Sequence, residues 1–160
     1  MSTAIIYATT YGSTRDIAEM IQRCIPESVI IDVKKDQTDI SAFDSVILGS
    51  SIYVGQIDKQ MKNFININGE KLKQKRIGIY FCCAFEENVE TYLKANFDKE
   101  LTDKAVVMTM GGKMDISKMS FAHKMITRIV QKSEQGKNRE VTLHPEKVEE
   151  FVKQMFSQTE

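Results

Sequence analysis

The sequence predicts an α/β protein: a doubly wound, five-stranded parallel sheet in the order 2-1-3-4-5. Helices cover both faces, and an extra helical insert precedes the last helix. Two observations carry this. Five short apolar runs recur along the 160 residues, each near-continuous rather than alternating, as strands buried on both faces are. Between them apolar residues recur at helical spacing, and alternating strands and helices imply parallel strands joined by crossover helices. With five strands the common doubly wound order is 2-1-3-4-5, and its ligand sits beyond the strand ends where the first and third strands diverge.

The first strand is residues 4–8, Ala-Ile-Ile-Tyr-Ala. Residues 9–14, Thr-Thr-Tyr-Gly-Ser-Thr, form a hydroxyl-rich loop, and a helix follows with Ile17, Met20, Ile21 and Cys24 on one stripe. Residues 28–34 read as the second strand and residues 36–43 as a short helical turn. Residues 45–49 are the third strand and 50–57 a loop. Asp58 caps a helix whose buried stripe is Met61, Phe64, Ile65 and Ile67, and Gly69 fits its end. Residues 76–83 are the fourth strand, Asn88 opens a helix to about residue 98, and residues 104–110 are the fifth strand, closed by Gly111-Gly112. Pro145 starts the final helix, which runs through residue 156 with Val148, Phe151, Val152 and Met155 facing inward.

Composition narrows the function classes. The chain has 22 Lys and Arg against 22 Asp and Glu, which gives no support for a nucleic-acid partner. No apolar run approaches the roughly 18 residues that span a bilayer, and the N-terminus lacks a signal peptide's plan, so a cytoplasmic protein of one domain, residues 1–160, is expected. Three cysteines, Cys24, Cys82 and Cys83, do not suggest a disulfide framework. Cys82 and Cys83 are neighbours at a strand end and would point to opposite faces, so a buried thiol and a loop thiol are expected rather than a working disulfide; Cys24 completes an apolar helix stripe and is expected in the core.

The switch point singles out three loops. The first offers the hydroxyls of Thr9, Thr10, Ser13 and Thr14, a glycine at Gly12, and the positive end of a helix dipole, which together make an anion cradle. An ordinary turn capped by Ser13 or Thr14 is the alternative. The loop has no Gly-x-Gly-x-x-Gly and no Gly-Lys-Ser/Thr, so it is neither of the common nucleotide loops. The second loop, Ser50, Ser51, Ile52, Tyr53, Val54 and Gly55, carries hydroxyls, an aromatic ring and aliphatic groups. The third, Cys83, Ala84 and Phe85, carries another aromatic ring and then acids. Tyr53 and Phe85 are candidates to stack on a flat ligand. A planar ring bearing one phosphate would fit such loops, and FMN is that kind of molecule. A phosphoacceptor receiver would need acidic residues for Mg²⁺ where Thr9 and Thr10 stand. A small cysteine phosphatase would need an arginine where Asn88 and Val89 follow Cys82 and Cys83.

Thr9-Thr10-Tyr11-Gly12-Ser13-Thr14 resembles the phosphate loop of flavodoxin-like proteins, Ser/Thr-x-Thr-Gly-x-Thr, with Tyr11 departing at the third position. Together with Gly49-x-Ser51-Ile52-x-x-Gly55 and the long segment before the last helix, the chain resembles the flavodoxin-like branch that contains the menaquinone-dependent protoporphyrinogen IX dehydrogenases. The resemblance runs almost end to end. It implies that Thr9, Thr10, Gly12, Ser13 and Thr14 hold the FMN phosphate, and that residues 51–55 and 83–85 meet the isoalloxazine ring. It also implies an FMN-dependent oxidoreductase acting on a bulky planar substrate such as a porphyrinogen, with a quinone or a redox protein as partner. A soluble one-electron shuttle is the alternative, and a flavin-free interaction domain a third possibility.

The insert, about residues 113–144, is too long for a bare connection in a compact domain. Met119, Ala122, Met125, Ile126, Ile129 and Val130 fall on one helical face and Lys124, Arg128 and Lys132 on another. From Lys113 to Arg139 seven Lys and Arg face Asp115 and Glu134 alone. Such a basic amphipathic helix can pack on the surface, cover the flavin's open edge, or touch an anionic membrane peripherally. No residue reads as a catalytic acid or base; His123 and His144 are read as structural.

Overall fold

The computed structural model describes residues 1–112 and 142–157, with Met125 and Arg128 between them. The sheet follows β2-β1-β3-β5-β6, where β1 is Thr3–Ala8, β2 Val29–Asp32, β3 Ser45–Tyr53, β5 Arg76–Cys82 and β6 Val106–Thr109. All four pairings along this path are parallel. The expected five-strand order is therefore present, with one addition. β3 continues four residues past Gly49, turns at Val54-Gly55, and pairs antiparallel with a two-residue β4, Gln56–Ile57. Both turn residues have positive φ, 50° and 71°, as a tight type I′ hairpin requires. The stretch read as a loop is thus largely a hairpin standing beyond the sheet.

Strand alternation divides the core into two layers. Ala4, Ile6, Val46, Leu48, Ile79 and Phe81 face α2 (Lys59–Lys73) and α3 (Val89–Asn96), meeting Met61, Phe64, Leu72 and Tyr92. Ile5, Tyr7, Ile47, Tyr80 and Cys82 face α1 (Ser13–Cys24) and α5 (Lys147–Phe156), meeting Ile17, Ile21, Phe151 and Met155. A one-turn helix α4, Lys99–Thr102, buries Leu101 on the first of these faces. Period-two burial with helices on both sides is what a doubly wound sheet demands.

Four local readings need correction. Ile67 is 83% exposed, because at 100° per residue it lies roughly 120° round α2 from the centre of the stripe of Met61, Phe64, Ile65 and Leu72. Gly69 does not end α2, which continues to Lys73; buried Leu72 supplies one more anchoring turn. Cys24 is exposed, being the last residue of α1, one turn past Ile21. Pro145 stands in a turn two residues ahead of α5, which begins at Lys147. The expected insert helix lies outside the described residues except at Met125 and Arg128. Both are helical and exposed, although Met125 was expected on the apolar face.

Candidate functional site

Beyond the carboxyl ends of β1, β3 and β5 lies a small, partly open cleft. It is lined by Thr9, Tyr11, Ser13, Ser51, Ile52, Tyr53, Cys82, Cys83, Ala84 and Gly112. Larger grooves exist, including one between α2 and the segment from Lys94 to Asp98. They flank helices, whereas the smaller cleft stands at the switch point of the sheet, where ligands of such folds bind.

Its floor is the start of α1. Gly12 is the N-cap residue, in left-handed geometry with φ 100°, and no side chain caps the helix. The first helical bond runs from the Asp16 amide to the Gly12 carbonyl, 3.0 Å, so the amides of Ser13, Thr14 and Arg15 precede the hydrogen-bonded ladder. The capped-turn alternative is thereby removed. A 12-residue helix whose uncapped amides and positive dipole end meet a cleft is suited to an anion.

The hydroxyls of the first loop divide their tasks. Thr9 Oγ1 accepts from the Gly12 amide at 2.8 Å, closing the turn. Thr14 is fully buried, and its hydroxyl meets Ser51 Oγ at 3.0 Å while Tyr80 Oη donates to its carbonyl at 2.8 Å. It fastens the loop to β3 and β5 rather than lining the cleft. Ser50 is likewise turned inward, donating to the Ser51 carbonyl at 3.0 Å and accepting from the Asp58 amide at 3.0 Å. Thr10, Gly12, Val54, Gly55 and Phe85 are also absent from the lining. Thr10 is exposed, and Val54 and Gly55 form the hairpin tip.

The upper wall is aromatic. Tyr11 and Tyr53 stand edge to face with centroids 5.9 Å apart, and burial pushes the Tyr53 hydroxyl pKa upward. Asn96 of α3 clasps the hairpin below them. Its side chain accepts from the Ile57 amide at 3.2 Å and donates to the Gly55 carbonyl at 2.9 Å. No sequence signal marked Asn96, because a lone buried amide has no period.

Two wall residues were not assigned from the sequence, Cys82 and Gly112. The two adjacent cysteines do face opposite layers, Cys82 towards α1 and Cys83 towards α2 and α3, and both are free thiols. Burial pushes each thiol up to about 12, with acidic neighbours adding to it. Protonated, buried thiols are poor nucleophiles. Iodoacetamide at about pH 8 is therefore expected to modify Cys24 in the native protein, with Cys82 and Cys83 reacting only after unfolding. Mass spectrometry of the labelled peptides checks this.

Beneath the third loop Glu86 is a hub. It accepts from Lys147 Nζ at 2.7 Å and from the Thr109 hydroxyl, and stands 3.1 Å from His144 Nε2. Burial works to raise this carboxyl, but the Lys147 and Thr109 hydrogen bonds and the nearby Lys147 charge outweigh it and hold the pKa below the usual carboxylate value. His144, read as structural, is part of this tie between loop and strand end.

The flavodoxin domain family matches residues 4–140, most of the chain. The chain belongs to that family. No curated protein matches this flavodoxin-domain sequence. Among solved structures, the flavodoxin, WrbA-like protein from Agrobacterium tumefaciens is 19% identical with TM-score 0.53, over 85% of this chain and 99% of that one. Oxidised Flavodoxin 1 from Bacillus cereus is 15% identical with TM-score 0.51, over 84% and 100%. Rubredoxin oxygen:oxidoreductase from Desulfovibrio gigas is 14% identical with TM-score 0.52, over 94% of this chain and 37% of its own. At such identities the likeness is one of fold. Among the described residues, no helix of this flavodoxin-domain chain is long and apolar enough to cross a membrane.

Proposed function

We propose that this chain is an FMN-binding electron-transfer protein. The observation that carries the reading is the uncapped start of α1 opening into a cleft walled by Tyr11, Tyr53, Ile52 and Ala84. The amides of Ser13 and Thr14 and the hydroxyls of Thr9 and Ser13 suit a phosphate, and the aromatic and aliphatic wall suits a flat ring. The bound flavin would supply the redox chemistry. The chain's part is to hold the phosphate, orient the ring and narrow solvent access with the two tyrosines.

Purified protein is expected to be yellow, to release FMN on denaturation, and to take FMN up again in a saturable titration. A protein that takes up no flavin in such a titration overturns the reading.

The finer reading is an oxidoreductase of the protoporphyrinogen dehydrogenase type, which would oxidise a bulky planar porphyrinogen and pass electrons to a quinone. It is supported by the register of Gly49, Ser51, Ile52 and Gly55 and by the basic composition of the insert. Porphyrinogen turnover with menaquinone, lost when residues 113–138 are removed, supports it. Redox cycling with a reductase partner that survives the same deletion supports the shuttle instead.

A further inference from the structure

We infer that Lys34 is a positioning residue for the phosphate loop, and that it makes the cleft select phosphorylated flavin over the unphosphorylated vitamin. The inference rests on the FMN reading above. Lys34 follows β2 and carries its ammonium back across the first loop. Nζ donates to the Thr9 carbonyl at 2.8 Å and pairs with the Asp58 carboxylate at 2.8 Å, with Thr10 Oγ1 at 3.5 Å. The Lys34 and Asp58 side chains are 32% and 16% exposed, so the pair is more sheltered than a surface ion pair of little consequence.

The contacts link into a continuous fastening. Asp58 caps α2, its carboxylate accepting from the Gln60 amide at 2.8 Å, while its own amide donates to Ser50 Oγ at 3.0 Å. Ser50 adjoins Ser51, which holds Thr14 at the far end of the loop. Residues 9 and 14 are thus both tied to the end of β3, one through Lys34 and Asp58, the other through Ser51. Removing Lys34 frees the first end while leaving the tyrosine wall intact. Loop amides that are not held must be ordered when phosphate binds, and that ordering weakens affinity. Asp58 already offsets the lysine charge, so the effect is one of placement rather than long-range attraction.

The test is a fluorescence titration of wild type, Lys34→Met and Lys34→Arg with FMN and with riboflavin, alongside urea midpoints. Lys34→Met is expected to weaken FMN about tenfold and riboflavin less than twofold, in line with loss of one charge-assisted contact. Lys34→Arg, which keeps donors for Thr9 and Asp58, should restore most of the FMN affinity. Equal loss of both flavins, or loss of neither, overturns the positioning role and leaves the FMN reading standing. A wild type that binds neither flavin overturns the FMN reading, and this inference with it.

Discussion

Gly49→Ala is expected to destabilise the protein by about 3 kcal/mol, near the upper end for overpacking a core. Gly49 lies in the central strand, in register with Tyr7 on one side and Tyr80 on the other. The Tyr80 ring lies over it, so that a Cβ at Gly49 would stand 2.0 Å from Tyr80 Cζ and 2.2 Å from Oη. The ring has nowhere to go. It is fully buried, edge-on to Phe151 at 6.3 Å, and its hydroxyl holds the Thr14 carbonyl at 2.8 Å. Urea unfolding followed by circular dichroism measures the cost. In a Tyr80→Ala background the same substitution should cost much less, a coupling that a double-mutant cycle reads directly. Because Tyr80 also anchors Thr14, the single variant should lose FMN affinity as well.

Gly49 shows what the sequence does and does not disclose. Its place in a motif was visible, but its reason was not, since the ring that demands a glycine is 31 residues away at position 80. The same distinction runs through the molecule. Strand order, both helical layers and the switch point were legible, because burial writes itself as period two or period 3.6 along the chain. Thr9, Ser13, Tyr53 and Ala84 were legible as wall residues for a related reason: topology says which loops converge. Lys34 and Asn96 were not, although each secures a loop of the cleft. Long-range polar contacts impose no repeat, and a lysine after a strand reads as ordinary solvated charge. The division of labour inside the first loop was equally hidden. Thr14 looked like a phosphate donor from composition, yet its hydroxyl is committed to Ser51.

Gly111→Ala is expected to cost about 3 kcal/mol and to weaken flavin uptake, and a second glycine separates the causes. Gly111 has φ 71°, a left-handed conformation that costs a side chain roughly 1 kcal/mol. A Cβ there would also lie 2.0 Å from the Thr142 carbonyl oxygen and 2.6 Å from His144 Cδ2. The first of these is backbone, so relief requires the 142–144 strip to move. That strip is bonded on both sides of Gly111, through His144 N to the Met110 carbonyl at 2.8 Å and Gly112 N to the Thr142 carbonyl at 3.1 Å. Gly111 in turn accepts from the Cys83 amide at 2.9 Å, so the shift reaches the wall formed by Cys83, Ala84 and Gly112. Gly55 has the same φ, 71°, with nothing within 4 Å of its would-be Cβ. Gly55→Ala should therefore show the conformational cost alone, about 1 kcal/mol. The difference of about 2 kcal/mol between the two unfolding free energies is then the collision with Thr142, a backbone clash of the overpacking kind. If the two variants unfold at the same urea concentration, the 142–144 strip yields freely and does not brace the third loop.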